Sequence, residues 1–273
     1  MAKKKTSYWE PMLAKNYRTY EGKLNLPLLV QPKVDGVRGI IGRDNKIWTR
    51  RGKRIFGAPK IQKELAKCFP GIPFDGEFDH DELSQEEVSG IVRRKTKIIE
   101  NSGIFYWVFD VASDSPMKYR WNRLQDLFVL RELHHVRLLP TFELHEWEDL
   151  DLYLDEFVNQ GFEGAILRNF ESPYVHSRTK MLLKLKRFFD CEAIVTACLE
   201  GEGKYKKHLG KFAIKAIDGS WTGNTGAGFT DEQRRVYWKI RRKLVGRQIT
   251  IKCQKFTNHG KPYVPVFRRF RDE

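Results

Sequence analysis

Lys33 stands in the stretch Gln31-Pro32-Lys33-Val34-Asp35-Gly36-Val37-Arg38, with Leu28-Leu29-Val30 before it and Ile40-Ile41 after it. Two apolar runs about Asp35-Gly36 predict strand, tight turn, strand. A lysine held between buried strands sheds its proton more readily than one in water, the more so near other cations, and becomes a nucleophile. A surface lysine beside a hairpin turn is the plainer alternative for Lys33 alone. Other charges intrude on apolar strands further along: Asp75 and Glu77, then Glu163, then Lys184 and Lys186. Such groups are costly to bury unless something satisfies them. Each alone also fits the solvent face of a strand. Lys184 and Lys186 alternate with Leu183 and Leu185, so the two lysines share one face. If that face meets Lys33, Glu77 and Glu163, the result is a cationic site with two carboxylates. Lysines there would take the charge on phosphate oxygens, and hard carboxylate oxygens would suit Mg²⁺.

The elements that must position these groups are legible from periodicity. Residues 60–69 place Ile61, Leu65 and Phe69 on one helical face. Residues 72–78 and 104–111 read as strands, the second almost wholly apolar and so buried on both faces. Helical patterns cover 121–133 and 149–160, and strands return at 161–168 and 181–188. Beyond Asp190 short strands dominate, at 193–199, 211–217, 248–254 and 264–270. One helix interrupts them, capped by Thr230 with Gln233 three residues on and closed by Gly246. Asp231 and Glu232 lie at its positive end and Arg241, Arg242 and Lys243 at its negative end. Short strands with one helix suggest a five-stranded OB-type barrel.

A chain of 273 residues with 41% hydrophobic residues has room for two globular domains. Its formal net charge of +15 points to a polyanionic partner, most simply nucleic acid. No membrane association is expected, because no apolar run of about 18 residues occurs. No apolar segment follows Lys3-Lys4-Lys5, so no secretory leader is expected. Cys68, Cys191, Cys198 and Cys253 form no Cys-x-x-Cys pair, which argues against a zinc site or disulfide framework and for a reducing, cytosolic setting. Residues 190–273 carry 18 Lys/Arg against 9 Asp/Glu, the denser positive charge. That region is the expected grip on a phosphate backbone.

The residues quoted resemble, in order and spacing, the motifs of the covalent nucleotidyltransferases. The match is closest to the ATP-dependent DNA ligases of the minimal viral kind, and it runs over nearly the whole chain. Lys33 to Arg38 resembles motif I and Thr49-Arg50-Arg51-Gly52 motif Ia. Asp75-Gly76-Glu77 resembles motif III, and Val108-Phe109-Asp110 motif IIIa, whose aromatic stacks on the purine. Glu163-Gly164, Leu183-Lys184-Leu185-Lys186 and Arg268 to Asp272 resemble motifs IV, V and VI. The resemblance implies an α+β fold: a nucleotidyltransferase (adenylation) domain of antiparallel sheets and flanking helices over 1–189, then an OB-fold barrel over 190–273. It implies ATP and Mg²⁺ or Mn²⁺ as cofactors, nicked duplex DNA as partner, and a monomer. Lys33 is the residue that would take AMP. Gln31, Pro32, Arg38, Arg50, Glu77, Phe109, Lys184 and Lys186 would bind the nucleotide with it. Glu77 and Glu163 would hold the metal, and Arg268, Arg271 and Asp272 the pyrophosphate. Arg50 and Arg178 would meet DNA.

An mRNA-capping guanylyltransferase and an RNA ligase share the superfamily, and a non-catalytic nucleic-acid clamp could keep its fold. The capping enzymes more commonly read Lys-Thr-Asp-Gly in motif I, where this chain has Val34. The Thr225-Gly226-Ala227-Gly228-Phe229 segment resembles ligase OB domains, and an intact Lys33, Glu77 and Glu163 speak against a clamp. The loop at 201–208 is shorter than the OB insertion with which small viral ligases close around DNA.

Overall fold

A computed structural model describes residues 7–100, 102–254, 256–257 and 260–271. The chain forms two compact units, Met1–Lys186 and Arg187–Glu273. In chain order the first runs β1 (Leu13–Asn16), β2 (Leu28–Lys33), β3 (Val37–Ile41), β4 (Ile47–Thr49), α1 (Pro59–Cys68), β5 (Phe74–Asp79) and α2 (Gln85–Val92). It continues with β6 (Phe105–Val111), α3 (Met117–Phe128), β7 (Val136–Leu138), β8 (Phe142–Leu144), α4 (Asp149–Asn159), β9 (Gly164–Asn169) and β10 (Arg178–Leu185). These strands make two five-stranded sheets, ordered β1-β10-β9-β2-β8 and β4-β3-β5-β6-β7. Pairing is antiparallel except at two edges, β1 with β10 and β6 with β7. The architecture is the mixed α+β one that the sequence predicts.

The strand–turn–strand at Lys33 differs from a hairpin. β2 belongs to the first sheet and β3 to the second, so residues 34–36 carry the chain from one sheet to the other. Gly36 is required by close approach. A Cβ there would lie 2.1 Å from the Phe78 carbonyl oxygen.

Each sheet has its own apolar core. Leu28, Val30, Leu167, Leu183 and Leu185 of the first sheet pack with Leu150, Leu154 and Phe157 of α4. Phe74, Phe78, Tyr106 and Val108 of the second pack with residues of α1, α2 and α3. Between the sheets lies a buried polar network. Asp110 of β6, fully buried, accepts from Arg120 Nε of α3 at 2.8 Å and from Arg168 Nη1 of β9 at 2.6 Å. Burial works to raise the Asp110 pKa, but Arg168 and Arg120 outweigh it and hold the carboxyl below its ordinary range.

Helix α3 starts earlier and ends sooner than the 121–133 pattern predicts. Pro116 occupies its cap position and Met117, Arg120, Trp121 and Leu124 form its buried face. Leu133 packs on the core from the following loop, which prolongs the apolar spacing past the helix end.

The second unit holds β11 (Phe189–Glu200), β12 (Leu209–Ala216), β13 (Thr222–Thr225), α5 (Asp231–Lys239), α6 (Arg241–Leu244), β14 (Gln248–Cys253) and β15 (Val266–Phe270). Its sheet order is β13-β12-β11-β14-β15. The two edges meet through a bridge between Ala227 and Val266 and through Phe267 N–H donating to the Ala227 carbonyl at 3.0 Å, which closes a barrel. Gly228, at φ +93, is pressed against that closure, since a Cβ would lie 2.1 Å from the Phe267 carbonyl oxygen. The capping box between Thr230 and Gln233 is present. The helix it opens breaks at Ile240, so Arg241, Arg242 and Lys243 belong to a separate short helix, and Gly246 lies beyond that one. No helix among the described residues is long and apolar enough to cross a membrane.

Removing Asp110 leaves two buried guanidinium groups without their counter-charge. Asp110→Ala should cost roughly 3–5 kcal/mol by urea unfolding. Lys118→Ala, which breaks the exposed 2.6 Å pair with Glu171, should cost less than about 1 kcal/mol. Equal costs for the two variants would mean that the network does not hold the sheets together.

Candidate active site

Lys33 is the last residue of β2, and its partner across the ladder is Gly164 of β9. Its carbonyl accepts from the Glu163 N–H at 2.8 Å, so the backbone brings the two side chains to one point. Lys33 Nζ donates to one oxygen of the Glu163 carboxylate and Lys186 Nζ donates to the other. All three side chains are largely buried. Burial works to raise the Glu163 pKa, yet the two ammonium groups outweigh it and hold the carboxyl below its ordinary range. Leu183 and Leu185 point into the core, which turns Lys184 and Lys186 to the opposite face of β10. Burial, and then the neighbouring Lys186, Lys33 and Arg178 cations, lower the pKa of Lys184.

Glu77 comes to the same place from the second sheet. Its Cγ lies beside Gly36, and Lys33 and Arg38 act on its charge. Among the described residues none donates a hydrogen bond to its carboxylate. Burial dominates there and pushes its pKa up to about 7. Arg38 is tied down elsewhere. Its Nε and Nη2 grip the two oxygens of Asp75 at 2.6 and 2.5 Å, and Nη2 also donates to the Met12 carbonyl at 3.0 Å. Asp75 is fully buried and accepts from Tyr174 Oη as well, so it serves the scaffold while Glu77 stays available.

Gln31 and Pro32 are buried. The Gln31 amide is used up within the protein, donating to the Phe109 carbonyl at 3.1 Å and Thr141 Oγ1 at 2.8 Å and accepting from Arg168 Nε at 2.6 Å. Phe109 packs with Val34 and Leu139 at 7% exposure. The guanidinium groups of Arg38 and Arg168 lie 4.9 and 5.3 Å from its ring centre.

The remaining predicted site residues have other partners. Arg50 is exposed in the turn after β4, where its carbonyl accepts from Tyr8 Oη at 2.9 Å. Arg178 opens β10, exposed, and donates to the Ala14 carbonyl. In the barrel, Arg268 is exposed on β15, and Arg271 pairs with Glu192 at 3.1 Å. Asp272 lies outside the described residues.

Sequence reasoning missed Arg168 and Arg120 as partners of Asp110, and Tyr174 as partner of Asp75. The signal was present in part: Asp110 and Arg168 are charges inside apolar strands, the criterion that picked out Glu77 and Glu163.

No three His, Cys, Asp or Glu side chains converge among the described residues. Two carboxylates beside one lysine nevertheless suit Mg²⁺ or Mn²⁺, which commonly take one or two protein carboxylates and complete their shell with substrate phosphates and water.

Family models match both units. The one described as the ATP dependent DNA ligase domain covers residues 11–186, and the DNA ligase OB-like domain covers residues 200–271. The DNA ligase of Haemophilus influenzae is 27% identical over 245 residues, which span 88% of this chain and 85% of that protein. A DNA ligase of African swine fever virus is 27% identical over 221 residues, 73% of this chain but only 51% of its own length. Among solved structures, a Lig E DNA ligase superposes with a TM-score of 0.79 at 27% identity, over 96% of this chain and 99% of that one. A Chlorella virus DNA ligase-adenylate shares the fold, with a TM-score of 0.59 at 24% identity over 97% of this chain and 99% of that one.

The raised pKa of Glu77 has a measurable consequence. Between the ordinary value of 4.5 and about 7 the folded chain keeps a proton on Glu77 that the unfolded chain has lost. Stability must therefore fall as pH rises through that window. With a chelator present, the wild type should lose on the order of 1–3 kcal/mol relative to Glu77→Gln between pH 4.5 and 7. Parallel urea-stability profiles for the two proteins would contradict the assigned burial.

Proposed function

This chain belongs to the ATP-dependent DNA ligase family, and from that membership we propose that it seals 3′-hydroxyl/5′-phosphate nicks in duplex DNA. The observation that carries the reading is the Lys33–Glu163–Lys186 cluster, with Lys184 and Glu77 beside it. It offers a nucleophile, a carboxylate that holds it and phosphate-binding cations at one point.

The chemistry runs in three displacements. The Lys33 amine attacks the α-phosphorus of ATP, a P–N bond forms, and the bond to pyrophosphate breaks. A 5′-phosphate oxygen of the nick then displaces the amine and carries AMP away. Finally the 3′-hydroxyl attacks that 5′-phosphate, and AMP leaves. In the first step the amine must attack unprotonated, and Glu163, hydrogen-bonded to it, holds it in place. Lys184 and Lys186 take the charge that develops on the phosphate oxygens. Glu77 and Glu163 are the groups that would hold a divalent metal, whose part is to neutralise phosphate charge. Arg38, gripped by Asp75, and Phe109, packed with Val34 and Leu139, would line the nucleotide site. Arg268 and Arg271 remain the candidates for the pyrophosphate, Arg50 and Arg178 for DNA. A monomer working in a reducing compartment suits the four free cysteines.

Covalent labelling by ATP or GTP carrying an α-phosphate label tests the reading. Wild type should take label from ATP alone. Transfer from GTP would mark a capping enzyme, and no transfer from either would mark a clamp. Lys33→Ala and Lys33→Arg should both take none, the second because guanidinium stays protonated. Lys33→Ala should still seal a nick that already carries AMP, since only the first two steps involve the amine. Label on either variant would move the nucleophile elsewhere.

Glu163→Ala and Glu77→Ala should each slow single-turnover sealing by about two orders of magnitude or more, the loss typical of one transition-state stabiliser. Rates within about threefold of wild type would remove both carboxylates from the chemistry.

A further inference from the structure

The run Arg93-Arg94-Lys95-Thr96-Lys97 carries four cations in five residues and belongs to no motif discussed above. We propose that it is a grip on the duplex backbone, mounted on α2, whose start is tied to the motif I turn, and the proposal rests on the nick-sealing reading.

A charge run is ordinarily no more than a solvated face, so what matters is how this one is mounted. All five residues are exposed, and none of the four cations is ion-paired among the described residues. The helix before them is fastened at both ends. At its start, the Ser84–Glu87 capping box satisfies the first turn. Gln85 Nε2 donates to the carbonyl of Gly36, three residues from Lys33, at 2.9 Å. Val88 and Val92 on its inner face are fully buried. At its end, the Val92 carbonyl accepts from the Gly57 N–H at 3.1 Å, and the Arg93 and Arg94 N–H groups close on Ser89 and Ile91 at 3.3 and 3.1 Å. The cations therefore begin at a defined point. Eight residues of helix span about 12 Å, so the run starts about that far along α2 from the end tied to the motif I turn.

Compensation of the α2 dipole explains part of this charge, since cations near a helix C-terminus are favourable. It covers Arg93 and Arg94 but not Lys95 and Lys97, which lie beyond the last turn. Duplex DNA accounts for all four. At roughly 3.4 Å of axis per phosphate on each strand, about 12 Å corresponds to three or four nucleotides. With the nick phosphate at Lys33, the run meets backbone phosphates a few nucleotides away. Such contacts carry no sequence information and set affinity and register.

The test uses the full chain with Arg93, Arg94, Lys95 and Lys97 all changed to Gln, beside a charge-keeping control of Arg93→Lys, Arg94→Lys, Lys95→Arg and Lys97→Arg. Binding to a nicked duplex with a 5′-phosphate is measured by fluorescence anisotropy from about 50 to 200 mM KCl. Each lost phosphate contact removes about 0.9 from the log–log salt slope, so the neutral variant should lose roughly 2–4 from it. Its affinity at low salt should fall at least about tenfold, while the control keeps the wild-type slope. Label transfer from ATP, which needs no DNA, should be unchanged in both, as should the melting temperature. An unchanged slope in a neutral variant that still takes label would overturn the proposal and leave the ligase reading intact. A slope lost equally in the charge-keeping control would also overturn it, because local structure rather than charge would then be at stake. Failure of the wild type itself to take label from ATP would instead remove the reading beneath it.

Discussion

Everything in the first unit depends on how its two sheets are held together, and the holding is done by a buried carboxylate. Asp110 sits on the second sheet and takes hydrogen bonds from Arg168 on the first and from Arg120 on α3. Burying one carboxylate and two guanidinium groups is expensive unless every one of them finds partners. They do. Arg120 Nη1 also reaches the Ser115 and Ser172 carbonyls, and Arg168 Nε reaches Gln31. An apolar seam would have let the sheets slide, because apolar contacts are not directional. Hydrogen bonds of fixed geometry give the seam one register. That register sets where Lys33 leaves the first sheet and where Glu77 arrives on the second.

The same seam explains why two carboxylates beside one lysine behave differently. Glu163 lies between two ammonium groups that compensate its burial, and its pKa falls. Glu77 has the buried position without a hydrogen-bonded cation, because Arg38 is spent on Asp75, and its pKa rises. Had Arg38 turned to Glu77 instead, Asp75 would be the uncompensated charge. The second donor to Asp75, the Tyr174 hydroxyl, biases that choice, and Tyr174 is itself fixed by the Met12 N–H, which donates to its oxygen at 2.9 Å. Site electrostatics thus trace back to a tyrosine and a methionine backbone far away in sequence.

How much of this was legible follows from the range of each interaction. Alternation is local, so the shared face of Lys184 and Lys186 could be read from four residues, as could the Thr230–Gln233 capping box. The Ser84–Glu87 box is just as local, but it opens a helix of only eight residues, one of them a glycine, where periodicity is weak. Partner choice is not local. Arg168 and Asp110 are 58 residues apart, and Gln31 and Arg168 are 137 apart. Nothing at either end says which charge will meet which. Gln31 is such a case: the resemblance assigns it to the nucleotide site, and its amide makes its hydrogen bonds within the seam. The passage from β2 to β3 is illegible for a related reason. A hairpin and a crossover between sheets share one pattern, and only the distant strands that pair with each decide between them.

The barrel shows how a short loop can be made stiff. Gly201–His208 is a single turn of 3₁₀-helix with its ends joined, Gly201 N–H donating to the His208 carbonyl at 3.0 Å. Tyr205 Oη donates to Asp231 of α5 at 2.9 Å, and the Arg234 guanidinium packs 4.5 Å from the Tyr205 ring centre. Arg234 is anchored in turn by the carbonyls of Leu209, Gly210 and Gly226, although its Nε finds no partner. The contacts of Tyr205 with Asp231 and Arg234 tie the loop to α5. Lys204, Lys206 and Lys207 consequently stay at the surface they start from. Charge held that way adds to DNA affinity by summing separate phosphate contacts, each screened by salt. On the proposed reading, a loop that lies so close to its barrel leaves the number of phosphate contacts to set the affinity for nicked DNA, which makes the placement of every exposed cation matter.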